Sequence, residues 1–210
     1  MKIDYQKYPL FHGLMEDVLA KIDQSSSFSY YEKGNYIHLE NDFSSWLEII
    51  IEGECHVEQI DEVGNEKIIK EFHKSDILGL NNLFSTKNQF LMYIYADTYI
   101  KTLKLPKKLI DELLDIKGFR DEFIRLLSDH TINFAQSIKR DFRHTLRQKI
   151  IHYISSNLEG KETNVFELKI SKTRLAKEFG VQRTSLSREL QKMKNEGLID
   201  YHHKEIISYI

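Results

Sequence analysis

The stretch "SKTRLAKEFGVQRTSLSRELQKMKNEGLI", residues 171–199, decides the fold of the C-terminal part of the chain. Ser171 is a residue type preferred immediately before a helix, and Gly180 supplies a tight turn between two helical segments. Their apolar residues recur at helical spacing: Leu175, Ala176 and Phe179 in the first, and Leu186, Leu190 and Met193 in the second. This pattern predicts a helix-turn-helix. A turn at Gly197 and two short strands after it predict the wing of a winged helix.

The second helix has a polar face that suits DNA. Arginine fits there because its planar fork can bond O6 and N7 of one guanine together. The residues expected to reach base edges are Arg183, Thr184, Ser187 and Arg188. The residues suited to phosphate oxygens are Lys172, Thr173, Gln182, Lys192 and Lys194. Residues 169–194 contain eight basic and two acidic residues, which favours a polyanion over the alternative of a solvated basic surface without a ligand.

Charge and composition divide the chain in the same way. Residues 1–118 carry 13 lysines, no arginine and 20 acidic residues, whereas residues 119–210 carry 17 basic and 12 acidic residues. A single cysteine, Cys55, excludes an intramolecular disulfide and a cysteine-based zinc or iron–sulfur site. No apolar run is long enough to span a bilayer, and the N-terminus lacks a signal-peptide core. We therefore expect a cytoplasmic protein that does not bind a membrane.

The first half predicts an antiparallel β barrel or sandwich. Segments such as "WLEIIIEGECHVEQI" and "LMYIYADTYIKTLKL" are rich in β-branched and aromatic residues, and glycines separate many of the strands. A short helix is expected over residues 14–24, and Pro106 is suited to the start of another.

A long helix follows the barrel. From residue 119 to residue 157 there is no glycine or proline. One apolar stripe consists of Phe119, Phe123, Leu127, His130, Phe134 and Ile138. Such a stripe fits a helix that packs on its own barrel or one that pairs with a second copy. Because this helix leads to a basic domain, we favour a parallel dimerisation helix. The expected domains are a sensor barrel (1–117), a dimerisation helix and hinge (118–143) and a winged helix-turn-helix (144–210).

These motifs together resemble the Crp/Fnr transcription regulators over nearly the whole chain. Residues 33–84, with Gly34, Gly53 and Gly79 at turn positions, resemble the family's cyclic-nucleotide-type jelly roll, and "VQRTSLSREL" resembles its recognition helix. The resemblance implies an α+β protein with an antiparallel jelly roll, a long dimerisation helix and a winged helix-turn-helix. The partners implied are double-stranded DNA and a second copy of the chain, with RNA polymerase as a further candidate.

The resemblance also assigns roles to the recognition helix. It implies base-reading positions at Arg183, Thr184 and Arg188, and phosphate contacts from Ser171, Thr173, Gln182 and Ser185. Thr184 stands where one well-known member has a glutamate. A carboxylate accepts a hydrogen bond from cytosine N4, and a threonine does not replace it in the same way, so we expect a different operator.

The sensor half departs from the members that bind cyclic AMP. Those members use a Gly-Glu pair and an Arg-Ser pair; here Gly79 is retained, Leu80 takes the glutamate position, and Phe90 and Leu91 take the Arg-Ser positions. A buried cyclic phosphate without an arginine partner would cost several kcal/mol. Control by cyclic AMP is therefore not expected. Gly79, Leu80, Phe90 and Leu91 are the candidate pocket of another effector, and no cofactor is predicted.

The sequence leaves alternatives open for the sensor and for the function of the chain. Haem ligation by His12, His38, His56 or His73 and a thiol switch at Cys55 are alternatives for the sensor, as is activity without any ligand. The chain lacks a phosphate-cradling loop, a Gly-x-Ser-x-Gly elbow and an HExxH helix, so we expect no catalytic residues, no metal site and no enzyme activity. A sensor or adaptor whose main partner is another protein is the second functional hypothesis.

Overall fold

A computed structural model describes most of the chain in two compact units. The residues described are 3–61, 64, 66–143, 145–202 and 204–209, with the backbone alone for 137–143. The first unit comprises Met1–Glu58 and Lys70–Gln136, and the second comprises Gln59–Ile69 and Ser137–Ile210. Within the described ranges, no helix is both long enough and apolar enough to cross a membrane.

Eight strands of the described chain form two antiparallel four-stranded sheets. One sheet has the order β1-β8-β3-β6 and the other the order β2-β7-β4-β5. The strands are β1 (Ser27–Tyr31), β2 (Tyr36–His38), β3 (Trp46–Glu52), β4 (Cys55–Ile60), β5 (Glu66–Phe72), β6 (Ile77–Leu78), β7 (Tyr93–Ala96) and β8 (Ile100–Pro106). This arrangement confirms the predicted jelly roll.

Strand β3 shows why these residues form a barrel. Leu47, Ile49 and Ile51 pack into one apolar cluster with the N-terminal segment and the helices, whereas Ile50 packs into a second cluster with residues of the opposite sheet. Because alternate side chains of a strand point to opposite faces, both faces of β3 are buried. Gly53 then ends the strand at φ +94°, where an added Cβ would lie 2.1 Å from the carbonyl oxygen of Tyr99.

Three helices complete the first unit. They are α1 (Glu16–Ser25), α2 (Lys107–Leu113) and α3 (Lys117–Arg143), of which only the part up to Gln136 belongs to this unit. α1 and α2 lie where the sequence predicts short helices.

The second unit contains the predicted winged helix-turn-helix. Its helices are α4 (Leu146–Leu158), α5 (Lys172–Phe179) and α6 (Arg183–Asn195), and its strands are β9 (Val165–Glu167), β10 (Ile199–His202) and β11 (Glu205–Ser208). The strands form an antiparallel sheet in the order β10-β11-β9. The sequence predicts the two wing strands but not the third strand, β9.

Helix α3 corrects the predicted dimer stripe. Phe119 and Phe123 are buried in the core of their own unit, and Leu127 packs against the same core. The imidazole Nδ1 of His130 lies 2.8 Å from the side-chain nitrogen of Asn81, and its ring stacks on Phe72 at 6.3 Å between centroids. The first part of the stripe therefore packs on the chain's own barrel, which is the alternative that we did not favour.

The end of the predicted stripe gives less information. The Phe134 side chain is 41% exposed. The side chain of Ile138 lies outside the described residues.

Candidate nucleic-acid interface

The turn between α5 and α6 is built by local backbone chemistry. The Ser171 hydroxyl accepts a hydrogen bond from the Arg174 backbone N–H at 3.1 Å, which caps the N-terminus of α5 as predicted. Gly180 ends this helix at φ +65°, a left-handed conformation that glycine adopts without a steric penalty. After Val181 and Gln182, Arg183 is the first residue of α6.

The buried face of α6 fixes which side chains remain available to a ligand. Leu186, Leu190 and Met193 are at most 1% exposed in the core of the second unit. Thr184 and Arg188, one turn apart on the opposite side, are exposed, and Ser187 is half-buried beside them. Arg183 is exposed as the first residue of the helix. The four residues predicted to read bases therefore lie on the part of α6 that the core does not cover.

The residues predicted to contact phosphate are exposed or half-buried. Thr173, Gln182 and Lys192 are exposed, whereas Lys172 and Ser185 are half-buried. Ser171 is exposed, but its hydroxyl already accepts the capping hydrogen bond.

Two cations converge at the N-terminal ends of α5 and α6. Burial lowers the pKa of Lys172, and the positive charge of Arg183 lowers it further. No side chain caps the N-terminus of α6, so no capping oxygen competes with a ligand for its first backbone N–H groups. Adjacent positive charges and free helix N–H groups are stabilised by an anion bound between them.

An arginine that the sequence analysis missed holds α6 in place. Arg147 of α4 donates from Nε to Glu189 at 2.6 Å and from Nη1 and Nη2 to Glu196 at 2.5 and 3.0 Å. These carboxylates raise the pKa of Arg147. The partners lie 42 and 49 residues away, so no local spacing could have signalled the contact.

Comparisons with known proteins agree with this arrangement. Residues 28–117 match the model of the cyclic nucleotide-binding domain, and residues 148–208 match that of the Crp-like helix-turn-helix domain. The chain belongs to the Crp/Fnr family of transcription regulators. The order of the two domains and the fold of each agree with that membership.

Individual relatives are distant in sequence. The chain is similar to the cAMP-activated global transcriptional regulator CRP of Salmonella typhimurium and of Klebsiella aerogenes, with 21% identity to each over 86% of this chain and 88% of the relative. Among solved structures, the c-di-GMP responsive global regulator CLP of Xanthomonas campestris has a TM-score of 0.73 at 16% identity, covering 93% of this chain and 100% of CLP. A Crp/Fnr regulator of Thermus thermophilus has a TM-score of 0.63 at 19% identity, covering 88% of this chain and 94% of that regulator.

The residues predicted to form the effector pocket of this Crp/Fnr regulator differ in their surroundings. Leu80 and Phe90 are buried in different apolar clusters, and Leu91 is 65% exposed. Gly79 adopts φ +80°, and an added Cβ would lie 2.8 Å from the carbonyl oxygen of Trp46. Gly79 thus serves a close backbone approach, and Phe90 packs in the barrel interior.

A cavity of about 160 Å³ lies instead between strand β5, the segment before β6 and helix α3. Leu80 is the predicted pocket residue that lines it. Burial lowers the pKa of Lys70, and burial together with the Lys70 charge lowers the pKa of His130. Two basic side chains therefore line this cavity in environments that disfavour their charged forms.

The barrel interior also holds a buried carboxylate. Glu48 is 1% exposed and accepts hydrogen bonds from Thr102 at 2.7 Å and from Tyr31 at 3.2 Å. His38 Nε2 lies 2.8 Å from Glu48, and the His38 ring stacks on Phe90 at 4.0 Å. Burial alone would raise the pKa of Glu48, but the hydrogen bonds from His38 and Thr102 and the charge of Lys104 hold it below its ordinary value.

This network predicts an acid-sensitive barrel. A carboxyl with a lowered folded-state pKa stabilises the fold above its unfolded value of 4.5, and the contribution is lost as the pH falls through the folded value. Glu48→Gln should lower the free energy of unfolding at pH 7 by about 1–3 kcal/mol and flatten its decline below pH 4.5. Urea unfolding between pH 3 and 7, with Glu40→Gln at an exposed site as control, measures both effects. Equal pH profiles for Glu48→Gln and the wild type would contradict this role.

The histidines named as alternative haem ligands lie in separate environments. His56 is buried, with Nδ1 2.7 Å from Asp97 and Nε2 3.1 Å from Glu58. His12 lies 2.9 Å from the Gln6 carbonyl oxygen, and exposed His73 lies 3.6 Å from Glu54. These contacts do not bring the histidines together around one site.

Cys55 has the environment of a structural thiol. It is buried in the barrel, where burial and nearby carboxylates raise its pKa to about 12. Because the thiolate is the reactive form, the structure does not support a thiol switch here. In the part of the chain that the structure describes, no three His, Cys, Asp or Glu side chains are grouped to hold a metal ion.

Proposed function

We propose that this Crp/Fnr regulator is a homodimer that binds a pseudo-palindromic duplex, with one recognition helix α6 in each half-site. The observation that carries the proposal is the exposure of Arg183, Thr184 and Arg188 in the N-terminal half of a helix whose apolar face is fully buried. An α-helix fits the major groove, and arginine forks suit guanine edges there. The convergence of Lys172 and Arg183 supplies a phosphate site beside that face. A cytoplasmic location is part of the same proposal.

The dimer is assigned to the free face of α3. Ile124 and Ile132 are 54% and 56% exposed, and Thr131 and Ala135 lie exposed between and beside them. The hydroxyls of Ser128 and Thr131 donate to backbone carbonyls one turn earlier, at 2.8 and 2.9 Å. A second helix can therefore cover this face without leaving those hydroxyls unpaired, which would be costly in a buried interface.

The effector site is assigned to the cavity beside Lys70 and His130 rather than to the predicted set around Phe90. Pockets for drug-sized ligands usually measure roughly 300–1,000 Å³, whereas this cavity measures about 160 Å³. A ligand smaller than a cyclic nucleotide is therefore expected.

Independence from cyclic AMP can be tested directly. Cyclic AMP at millimolar concentration should shift neither the melting temperature of the protein nor its affinity for DNA, because residues 1–118 offer no arginine to the phosphate. Differential scanning fluorimetry and DNA titration measure the two quantities. A concentration-dependent stabilisation that Lys70→Met removes would contradict the prediction and would show that the cavity accepts the nucleotide.

Salt dependence tests the DNA interface without knowledge of the operator. The logarithm of the binding constant for a random-sequence duplex should fall linearly with the logarithm of the salt concentration, because each phosphate contact releases bound counterions. Lys172→Ala should reduce the magnitude of this slope by about 0.9, whereas Lys161→Ala, at an exposed position in the loop after α4, should leave it unchanged. Fluorescence anisotropy at several salt concentrations measures the slope. Equal slopes for all three proteins would remove Lys172 from the interface.

A further inference from the structure

The aromatic ring of Tyr201 contacts two lysines from different helices. Tyr201 belongs to wing strand β10 and is half-buried. The amine of Lys172, the first residue of α5, lies 4.1 Å from the ring centroid. The amine of Lys194, near the end of α6, lies 5.4 Å from it. A cation within about 6 Å of a ring centroid is attracted by the negative face of the ring when it lies over that face.

Lys172 occupies an unfavourable position for a cation. The N-terminus of a helix carries a partial positive charge, and Lys172 stands in the first turn of α5. Arg183 adds a second positive charge nearby, and burial and this charge both lower the pKa of Lys172. The ring of Tyr201 is therefore a favourable contact for the Lys172 amine in a place that otherwise disfavours it. The ring also restricts the rotamers of this long side chain.

The same tyrosine is anchored to α6. Its hydroxyl donates to the Gln191 side-chain oxygen at 3.1 Å, and the Gln191 amide nitrogen donates to Asn195 at 2.9 Å. Lys194 is ion-paired with Asp200, the residue before Tyr201. One side chain thus connects the start of α5, the second half of α6 and the wing.

We propose that Tyr201 is a positioning residue of the DNA interface, whose ring holds the Lys172 amine ready for a phosphate while its hydroxyl fixes the wing to α6. The inference rests on the proposed function, because it gives Lys172 a phosphate partner. A lysine that is already ordered loses less rotamer freedom when it binds. Phosphate contacts carry no sequence information, so the effect falls on affinity for every duplex and not on base preference.

The test compares variants on two duplexes, namely the tightest binder selected from a random library and a scrambled duplex of the same composition. Tyr201→Leu removes the ring and should weaken both complexes by about 3- to 10-fold. Tyr201→Phe keeps the ring and should weaken them by less than about 3-fold. Tyr209→Leu, at an exposed tyrosine of the same unit, serves as the matched control and should have no effect. If the leucine variant unfolds, as its melting curve will show, Tyr201→Met replaces it.

A double-mutant cycle separates positioning from general damage. In the Lys172→Ala background, Tyr201→Leu should have little further effect, because the lysine that the ring positions is gone. The inference is overturned if Tyr201→Leu binds like the wild type, if it weakens binding equally with and without Lys172, or if Tyr201→Phe is as weak as Tyr201→Leu. Failure of the wild type to bind any duplex would overturn the proposed function itself, so the two failures are distinct.

Discussion

Arg188→Ala is expected to weaken the preference for the operator over random DNA substantially. One bidentate contact between an arginine and a guanine contributes about 1–3 kcal/mol of discrimination, or roughly 5- to 150-fold in affinity. Arg183→Ala should have an effect of the same size, because Arg183 is also exposed, at the N-terminal end of α6. The measurement is the ratio of dissociation constants for the selected duplex and its scrambled counterpart.

Lysine at the same position provides the matched control. Arg188→Lys keeps the positive charge but lacks the planar fork, so it should retain binding to the scrambled duplex while it loses part of its preference for the selected one. Lys172→Ala should weaken both duplexes alike. If Arg183→Ala, Arg188→Ala and Lys172→Ala changed the two affinities in the same proportion, the assignment of α6 as the reading helix would be contradicted.

Ala135→Glu is expected to separate the dimer and with it most of the affinity for DNA. Ala135 is exposed on the free face of α3, and two copies of the variant would bring like charges together in an apolar interface. Two linked half-site contacts reinforce each other by roughly 100- to 10,000-fold, so their separation should cost affinity in that range. Analytical ultracentrifugation measures the dimer, and titration with the selected duplex measures the affinity.

A nearby residue on the other side of the helix supplies the control for that substitution. Asn133 is also exposed, but a position two residues away along a helix is rotated by about 200°, and Asn133 lines the cavity on the barrel side. Asn133→Asp adds the same charge off the proposed interface and should leave both measurements unchanged. A dimeric Ala135→Glu variant with normal affinity for DNA would show that α3 does not pair through this face.

The helix-turn-helix was predictable because its signals are local. Ser171 as a cap, Gly180 as the turn, and Leu186 and Leu190 four residues apart act within one or two helical turns. The structure places each of them in the expected role.

The long helix shows where local pattern stops being informative. An apolar stripe indicates that one face of a helix is buried, but it does not identify the partner that covers this face. Phe119 and Phe123 are covered by the chain's own barrel. The candidate partner face, around Thr131 and Ala135, is weakly apolar and does not stand out as a stripe in the sequence.

The contacts that support the interface were beyond sequence reasoning. Arg147 meets Glu189 and Glu196, and Tyr201 meets Lys172, only because the fold brings distant segments together. The cavity beside Lys70 and His130 depends in the same way on the approach of α3 to β5. The family resemblance assigned Phe90 to a candidate effector pocket. Its stacking on His38 inside the barrel could not be predicted from that resemblance.

Selection of bound sites from a random duplex library, followed by footprinting of the winners, tests the central claim most directly. The account predicts one enriched motif with two inverted half-sites whose centres lie about 34 Å apart, one turn of DNA. Arg188→Lys should recover a motif with relaxed preference at one position in each half-site. Recovery of no enriched sequence, or of a single half-site bound by a monomer, would contradict the account.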